Sequence, residues 1–430
     1  MEDPKMLAYD ELINQAPAEY RDALGQEWKL YDGIQENAKI VLAEVGIETR
    51  NKNVITLLEA TGLAGYDESA GRIYLLPELI DQALDSAPKT FARDEGANTL
   101  GIGGIPPFLY RDADEFPMPA SYEELENLIQ VISENLDVVR FLSQPVKVHR
   151  GDPLACNKIM DRLDNCIKVT CSAYMNDEDA VRWFSGREDW HDSICGLKSP
   201  LTAMDDMLQA LVKSAEAGNN LRLTTMPLAG RTSPHTPQGC LILNQAEVMF
   251  MLAVAQTANP GVLCMFGGMP CTTGPHGDLA YSHDAMNLLN VAVARLNMWL
   301  TGLPTVQSGG STEEKMPDEK ALQDGIRGRR ILCEFGVHHA RHCFGVLDNL
   351  NFFSEEAFAK DCDAHRKYLE NKPEKIALKP LHIPPDDQAL EVIRRVAGGD
   401  YYVDYHTTAH ISIFDDWAAG LAAEGLLPKR

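Results

Sequence analysis

The chain is 430 residues long and carries a formal net charge of −24, with 45% hydrophobic and 24% charged residues. Such a chain forms two or three average domains, or one large barrel with insertions. The acidic balance excludes nucleic acid and an anionic membrane surface as partners, and favours a small cation instead.

The first residues, "MEDPKMLAYDEL", hold no basic region leading into an apolar run, and the ten cysteines include no CxxC pair. A cytoplasmic chain with reduced, buried thiols is therefore expected. A helix is read over 35–46, then a short strand running into a second helix over 72–88. The stretch 96–120, rich in Gly, Pro and Asp, reads as a loop or irregular hairpin, either a cap over a site or a linker.

From residue 121 the rhythm is regular. Ser121 with Glu124 makes a capping box for the helix that follows. Strands are expected at "VVRFLSQPV", "CIKVTCSA", "LRLTTMPLAG", "VLCMFGGMP", "LPTVQSGG" and "HHARHCFGVL". Helices fall between them, including "NDEDAVRWFSG" and the segments 204–218, 238–258, 283–301 and 318–336; another begins at Ser354. The apolar helix 238–258 contains Asn244, Gln245, Glu247 and Gln256, so it reads as a buried core helix, with Glu247 a buried hydrogen-bonding group. Six or seven β/α units without a GxGxxG motif predict an α/β fold, a (β/α)8 barrel with an N-terminal helical and irregular extension. A doubly wound sheet is the alternative. The expected division is an α+β extension and cap loop over 1–120, barrel core over 121–360, and a C-terminal extension over 361–430.

Substrate sites of such barrels lie where strands run into helices. Four consecutive strand ends are rich in small and polar residues: "MPLAGRTSPHTPQG", "FGGMPCTTGPHGDLAYSH", "SGGSTEEKMPDEK" and "RHCFGVLDN". Glycine admits close backbone approach, proline stiffens the loop, and Arg231, Thr232, His235 and Thr236 offer donors.

Taken together with "PPFLYRDADEFPMPASYEELENLIQVISENLDVVRFLSQPV" and the C-terminal "GGDYYVDYHTTAHI", these blocks resemble the trimethylamine methyltransferase family of corrinoid-dependent enzymes, over roughly residues 29 to 415. The resemblance implies a (β/α)8 barrel. Every residue here is a standard amino acid, so the chain is similar to the relatives that lack pyrrolysine, which demethylate quaternary amines such as glycine betaine. It further implies that the methyl passes to the Co(I) of a partner corrinoid-binding protein, with no corrinoid held tightly by this chain. A homo-oligomer is also expected.

A quaternary ammonium donates no conventional N–H hydrogen bond, so aromatic faces and carboxylates recognise it. Phe108, Tyr110, Phe266, Tyr281 and Phe344 are the aromatic candidates, and Glu313, Glu314 and Asp318 the anions. Asp318 also stands where a helix N-cap is needed. For a betaine carboxylate, Arg231, His276, Lys315 and His342 are candidates. His342 matches a histidine of the family, and with Thr232 and His235 is expected to act catalytically. In "HHARHC", strand alternation places His338 and His342 on the face of Ala340, with His339 opposite. A zinc site there would accompany a thiol or methoxyl substrate, but an ammonium substrate needs no Lewis acid, so no metal is expected. A zinc-dependent corrinoid methyltransferase and a non-catalytic quaternary-ammonium binding protein are the alternatives.

Overall fold

The computed structural model describes residues 13–14, 16–89, 99–111, 116–171, 182–274, 279–337, 339–372, 378–397 and 408–428. Eight parallel strands succeed one another in chain order: β1 (Thr99–Ile102), β2 (Phe141–Ser143), β3 (Ile167–Cys171), β4 (Trp190–Ile194), β5 (Asn220–Leu223), β6 (Cys264–Phe266), β7 (Gln307–Ser308) and β8 (His339–Arg341). β8 pairs with β1, and a parallel bridge from Phe266 to Thr305 joins β6 to the residues entering β7. The sheet is thus closed, as a (β/α)8 barrel requires.

Two strands escape the sequence reading. β1 lies inside the stretch read as loop or hairpin, ahead of the expected barrel start at 121. β4, "WHDSI", carries three polar residues at its centre and lacks the apolar run of a buried strand.

Helices cover the barrel, and their starts follow capping chemistry. Ser121 and Glu124 form the capping box of α4 (Tyr122–Ser133). Asp152 caps α5 (Pro153–Met160), Thr236 caps α7 (Pro237–Ala258), and His283 caps α8 (Asp284–Leu300). Asp318 caps α9 (Glu319–Glu334) and Ser354 caps α10 (Glu355–Asn371). Each cap accepts a hydrogen bond from an otherwise orphaned backbone N–H of the first turn. The expected helix "NDEDAVRWFSG" lies mostly outside the described residues.

The N-terminal layer consists of α1 (Arg21–Glu44), α2 (Lys52–Glu59), a hairpin (Ala64–Asp67 with Arg72–Leu75) and α3 (Pro77–Ser86). All three helices pack on α7, as does α6 (Asp205–Glu216). Within α7 only Gln238, Thr257 and Ala258 escape full burial, so it is apolar all round because it is covered all round. The buried pair Glu27–Arg295, at 3.0 Å, ties α1 to α8, while the other Glu27 oxygen accepts from the Leu381 N–H. α11 (Ala389–Ala397) joins α7 on the same side, and α12 (Thr408–Ala423) lies on α8.

Glu247 fulfils the reading of a buried hydrogen-bonding group. It accepts from the hydroxyls of Ser199 and Thr225 and from the Leu201 N–H, pinning the 195–204 loop to α7. Burial pushes its carboxyl up from the usual range.

Candidate functional site

Alternation along the strands divides side chains between the barrel lumen and the helix layer. At the lower lumen Phe141, Val169, Met265 and Val306 form an apolar plug. Above it the lining becomes polar and cationic. Arg222 places its guanidinium 4.2 Å from the Phe141 ring centre. His191 lies one strand away, fully buried, and burial with the charges of Arg222 and His339 holds its ring down to about 3. β8 contributes His339 and Arg341, and Ser308 pairs with Arg341 across β7. A chain of net charge −24 therefore concentrates guanidinium and imidazole groups inside its barrel.

His342 sits just above β8. Simple alternation would send it with Ala340 into the helix layer, but Arg341 is the last strand residue and His342 adopts φ +65°. That left-handed conformation costs a non-glycine residue roughly 1–2 kcal/mol, and it swings the ring back over the strand ends. There Nδ1 lies 2.6 Å from Ser308 Oγ. The ring edge also lies against Gly103, where a Cβ would come within 2.7 Å of Cδ2, so only glycine leaves it room. Burial, then the charges of Arg341 and Arg222, hold the His342 ring well below the ordinary imidazole range. It is neutral at physiological pH.

Next to this cationic centre stands a cluster of different character. Met226 and Leu228 follow β5, Met269 and Cys271 follow β6, and Leu279, Tyr281, Met286 and Leu350 complete the group. The Tyr281 hydroxyl lies 3.9 Å from the Met226 sulfur and 4.0 Å from that of Met269. Burial pushes the Tyr281 phenol well up, and the nearby Arg341 charge opposes that shift. The Arg341 charge thus acts on both His342 and Tyr281 of the sulfur-lined wall. Backbone pairing of Met269 with Thr225 and of Cys271 with Pro227 and Ala229 holds the two loops together.

The remaining expected site residues are distributed differently. Phe266 packs in the main core and Phe344 lies beneath Arg329, so neither faces the lumen. For Phe266 the reason is alternation, since its neighbour Met265 takes the inward position. Thr232 is a turn residue: its hydroxyl accepts from the Leu228 N–H at 2.9 Å, closing the bend that Arg231 tops as an exposed side chain. His235 is half-buried in the same loop. Asp318 caps α9, accepting from the Ala321 N–H at 2.9 Å. Glu313 accepts from the N–H and hydroxyl of Ser282, clamping two rim loops together. Glu314 pairs with Lys320, and Lys315 is exposed. Phe108 is part of a small rim sheet with Phe352–Ser354, edge-on to Phe352 at 6.4 Å, and the Tyr110 hydroxyl touches Met316. His276 and His338 lie outside the described residues. Among the described residues no three His, Cys, Asp or Glu side chains converge as a metal site.

Sequence reasoning missed Arg222, Arg341, His191, His339, Ser308 and the two wall methionines. A signal existed for Arg341 and His339, which alternate on one face of "HHARHC". Met226 and Met269 both stand at Met-Pro steps immediately after barrel strands, a pattern visible in the sequence.

The sequence pattern of the trimethylamine methyltransferase family matches residues 22–414. The chain is 26% identical over 403 residues to the glycine betaine methyltransferase of Desulfitobacterium hafniense (strain Y51), covering 87% of this chain and 81% of that protein. It is 22% identical over 428 residues to a trimethylamine methyltransferase of Methanosarcina mazei, covering 88% and 83%. Among solved structures, the monomethylamine methyltransferase of Methanosarcina barkeri aligns over 93% of both chains with a TM-score of 0.47 and 9% identity. A match spanning nearly the whole chain decides the matter: the protein is a methyltransferase and belongs to the trimethylamine methyltransferase family.

Proposed function

We propose that this methyltransferase takes a methyl group from a quaternary amine bearing a carboxylate, of the glycine betaine type. The observation that carries the reading is the juxtaposition at the top of the barrel. Arg341 and Arg222 offer a buried cationic end suited to a carboxylate, with the neutral His342 ring beside them as a hydrogen-bonding group. The adjoining wall of Met226, Met269 and Tyr281 offers polarisable and aromatic surface for the methylated nitrogen. A simple amine would use only the second half.

The chemistry asks little of side-chain acids or bases. A quaternary nitrogen already carries the positive charge, and loss of one methyl releases a neutral tertiary amine, so no proton moves. The corrinoid of a partner protein, when docked, supplies the cobalt nucleophile that accepts the methyl. The exposed apolar rim residues Phe108, Phe116, Met118 and Met316 suit approach of such a partner. This chain's residues orient the amine and exclude water, so positioning supplies most of the catalysis. We assign the reaction to the cytoplasm, which agrees with the nine free cysteines among the described residues.

Anaerobic incubation with Co(I) corrinoid protein and a panel of amines tests the reading through the visible spectrum of methylcobalt. Transfer from betaines, lost in Arg341→Gln, is the expected result. No transfer from any quaternary amine would refute it.

A further inference from the structure

We infer that Arg329 and Asp361 are positioning residues for His342, acting through the turn that carries the imidazole. The inference rests on the reading that His342 faces the substrate.

The turn runs from His342 at φ +65° to Gly345 at φ +73°, and each of its residues is held from outside the strand. Ser311 Oγ donates to the His342 carbonyl at 2.7 Å. The Cys343 N–H donates to the Gly101 carbonyl at 3.0 Å, and the Cys343 carbonyl accepts from Arg329 Nη1 at 2.5 Å. Asp361 Oδ2 accepts from the Gly345 N–H at 2.9 Å, while Oδ1 lies 2.8 Å from Arg329 Nη2. The Arg329 guanidinium also covers the Phe344 ring at 5.3 Å. Arg329, from α9, and Asp361, from α10, therefore grip both ends of residues 343–345 as one buried unit. Burial pushes the Asp361 carboxyl up, and Arg329 with the Gly345 N–H opposes this.

A strained residue keeps its conformation only where its surroundings over-determine it. The ring of His342 meets Ser308 on one side and Gly103 on the other, a fit that leaves little tolerance for a shift of the backbone. Ser311 and Gly101 hold the start of the turn, whereas the Arg329–Asp361 pair holds the Cys343 carbonyl, the Phe344 ring and the Gly345 N–H. Neither Arg329 nor Asp361 is required to touch substrate.

The test uses full-length protein labelled with 15N-histidine, the His342 resonances being assigned by their loss in His342→Gln. Arg329→Lys and Asp361→Asn are expected to shift those resonances and to lower kcat/KM for methyl transfer at least tenfold. Adding His342→Ala to either variant should cause little further loss beyond His342→Ala alone, because one function is removed twice. A purely structural pair would leave the resonances of the folded variants in place, or its losses would multiply with that of His342→Ala; either result overturns the inference. Should Asp361→Asn fail to fold, Arg329→Lys, which keeps the charge, decides alone by the same readouts. Shifted resonances in a protein that transfers no methyl at all would sustain the positioning role and refute the proposed function.

Discussion

Ser308 and His342 meet across the seam between the last two barrel strands, Oγ 2.6 Å from Nδ1, although 34 residues separate them in sequence. This contact fixes the ring's orientation above the lumen. Ser308→Ala should cost about 1 kcal/mol of stability, the usual net worth of a buried hydrogen bond. Methyl transfer should fall at least tenfold, about 1.4 kcal/mol of transition-state stabilisation. Urea denaturation and kcat/KM separate the two effects, and a folded variant of full activity would remove His342 from the site.

His191 and Asp192 are neighbours on β4 that face opposite layers, and burial shifts them in opposite senses: the imidazole down to about 3, the carboxyl up to about 7. A depressed imidazole contributes stability above its ordinary range that is lost as pH falls from about 6.5 towards 3. A raised carboxyl contributes stability below about 4 that is lost as pH rises towards 7. Relative to wild type, Asp192→Asn should therefore gain stability as pH rises from about 4 to 7, by at most about 4 kcal/mol at 1.36 kcal/mol per unit. His191→Gln should gain as pH falls below about 6.5. Denaturation curves at several pH values check both signs, and parallel pH profiles for mutant and wild type would contradict them.

Thr232 holds a bend through its hydroxyl, so Thr232→Ala should destabilise the protein by about 1 kcal/mol while Thr232→Ser restores it. Exposed Arg231→Ala should stay within about 0.5 kcal/mol of wild type. If Thr232→Ala proves neutral to stability yet abolishes transfer, the threonine belongs to the chemistry after all.

Tyr281 is almost fully buried, so Tyr281→Ala should cost about 3–5 kcal/mol, as other aromatic truncations in cores do. Tyr281→Phe removes only a hydroxyl that touches two sulfurs, and should keep both fold and quaternary-ammonium binding. Binding lost in a stably folded Tyr281→Phe would show that the hydroxyl, rather than the ring face, meets the ligand.

The barrel was legible because strands such as β2 and β6 are short apolar runs and because α5, α7, α8, α9 and α10, which follow barrel strands, each begin at a side-chain cap that local chemistry dictates. β1 was obscured by Gly101 and Gly103 and the proline-rich loop beyond them, and β4 by its inward His191 and outward Asp192. The site was less legible, for a physical reason. Loop residues such as Thr232 and Asp318 advertise donors and acceptors, yet backbone N–H groups consume them. The lumen residues, by contrast, converge only when eight strands close, and no local pattern encodes that closure. His342 was put forward on its family resemblance, while its placement turns on a single left-handed residue that strand alternation does not anticipate.

α7 is long and apolar enough to cross a bilayer, and 94% of its most apolar stretch is hidden within the fold. Its concealment depends on α1, α2 and α3, which the ribosome delivers some 150 residues earlier, since α3 ends at Ser86 and α7 begins at Pro237. A chain stripped of residues 21–86 would keep the sides of α7 that face α6, α8 and α11 covered but would bare the rest of this apolar segment, which favours aggregation. Because α1, α2 and α3 precede α7 in the chain, three of its covering surfaces are already synthesised when that segment appears, independently of the mouth of the barrel.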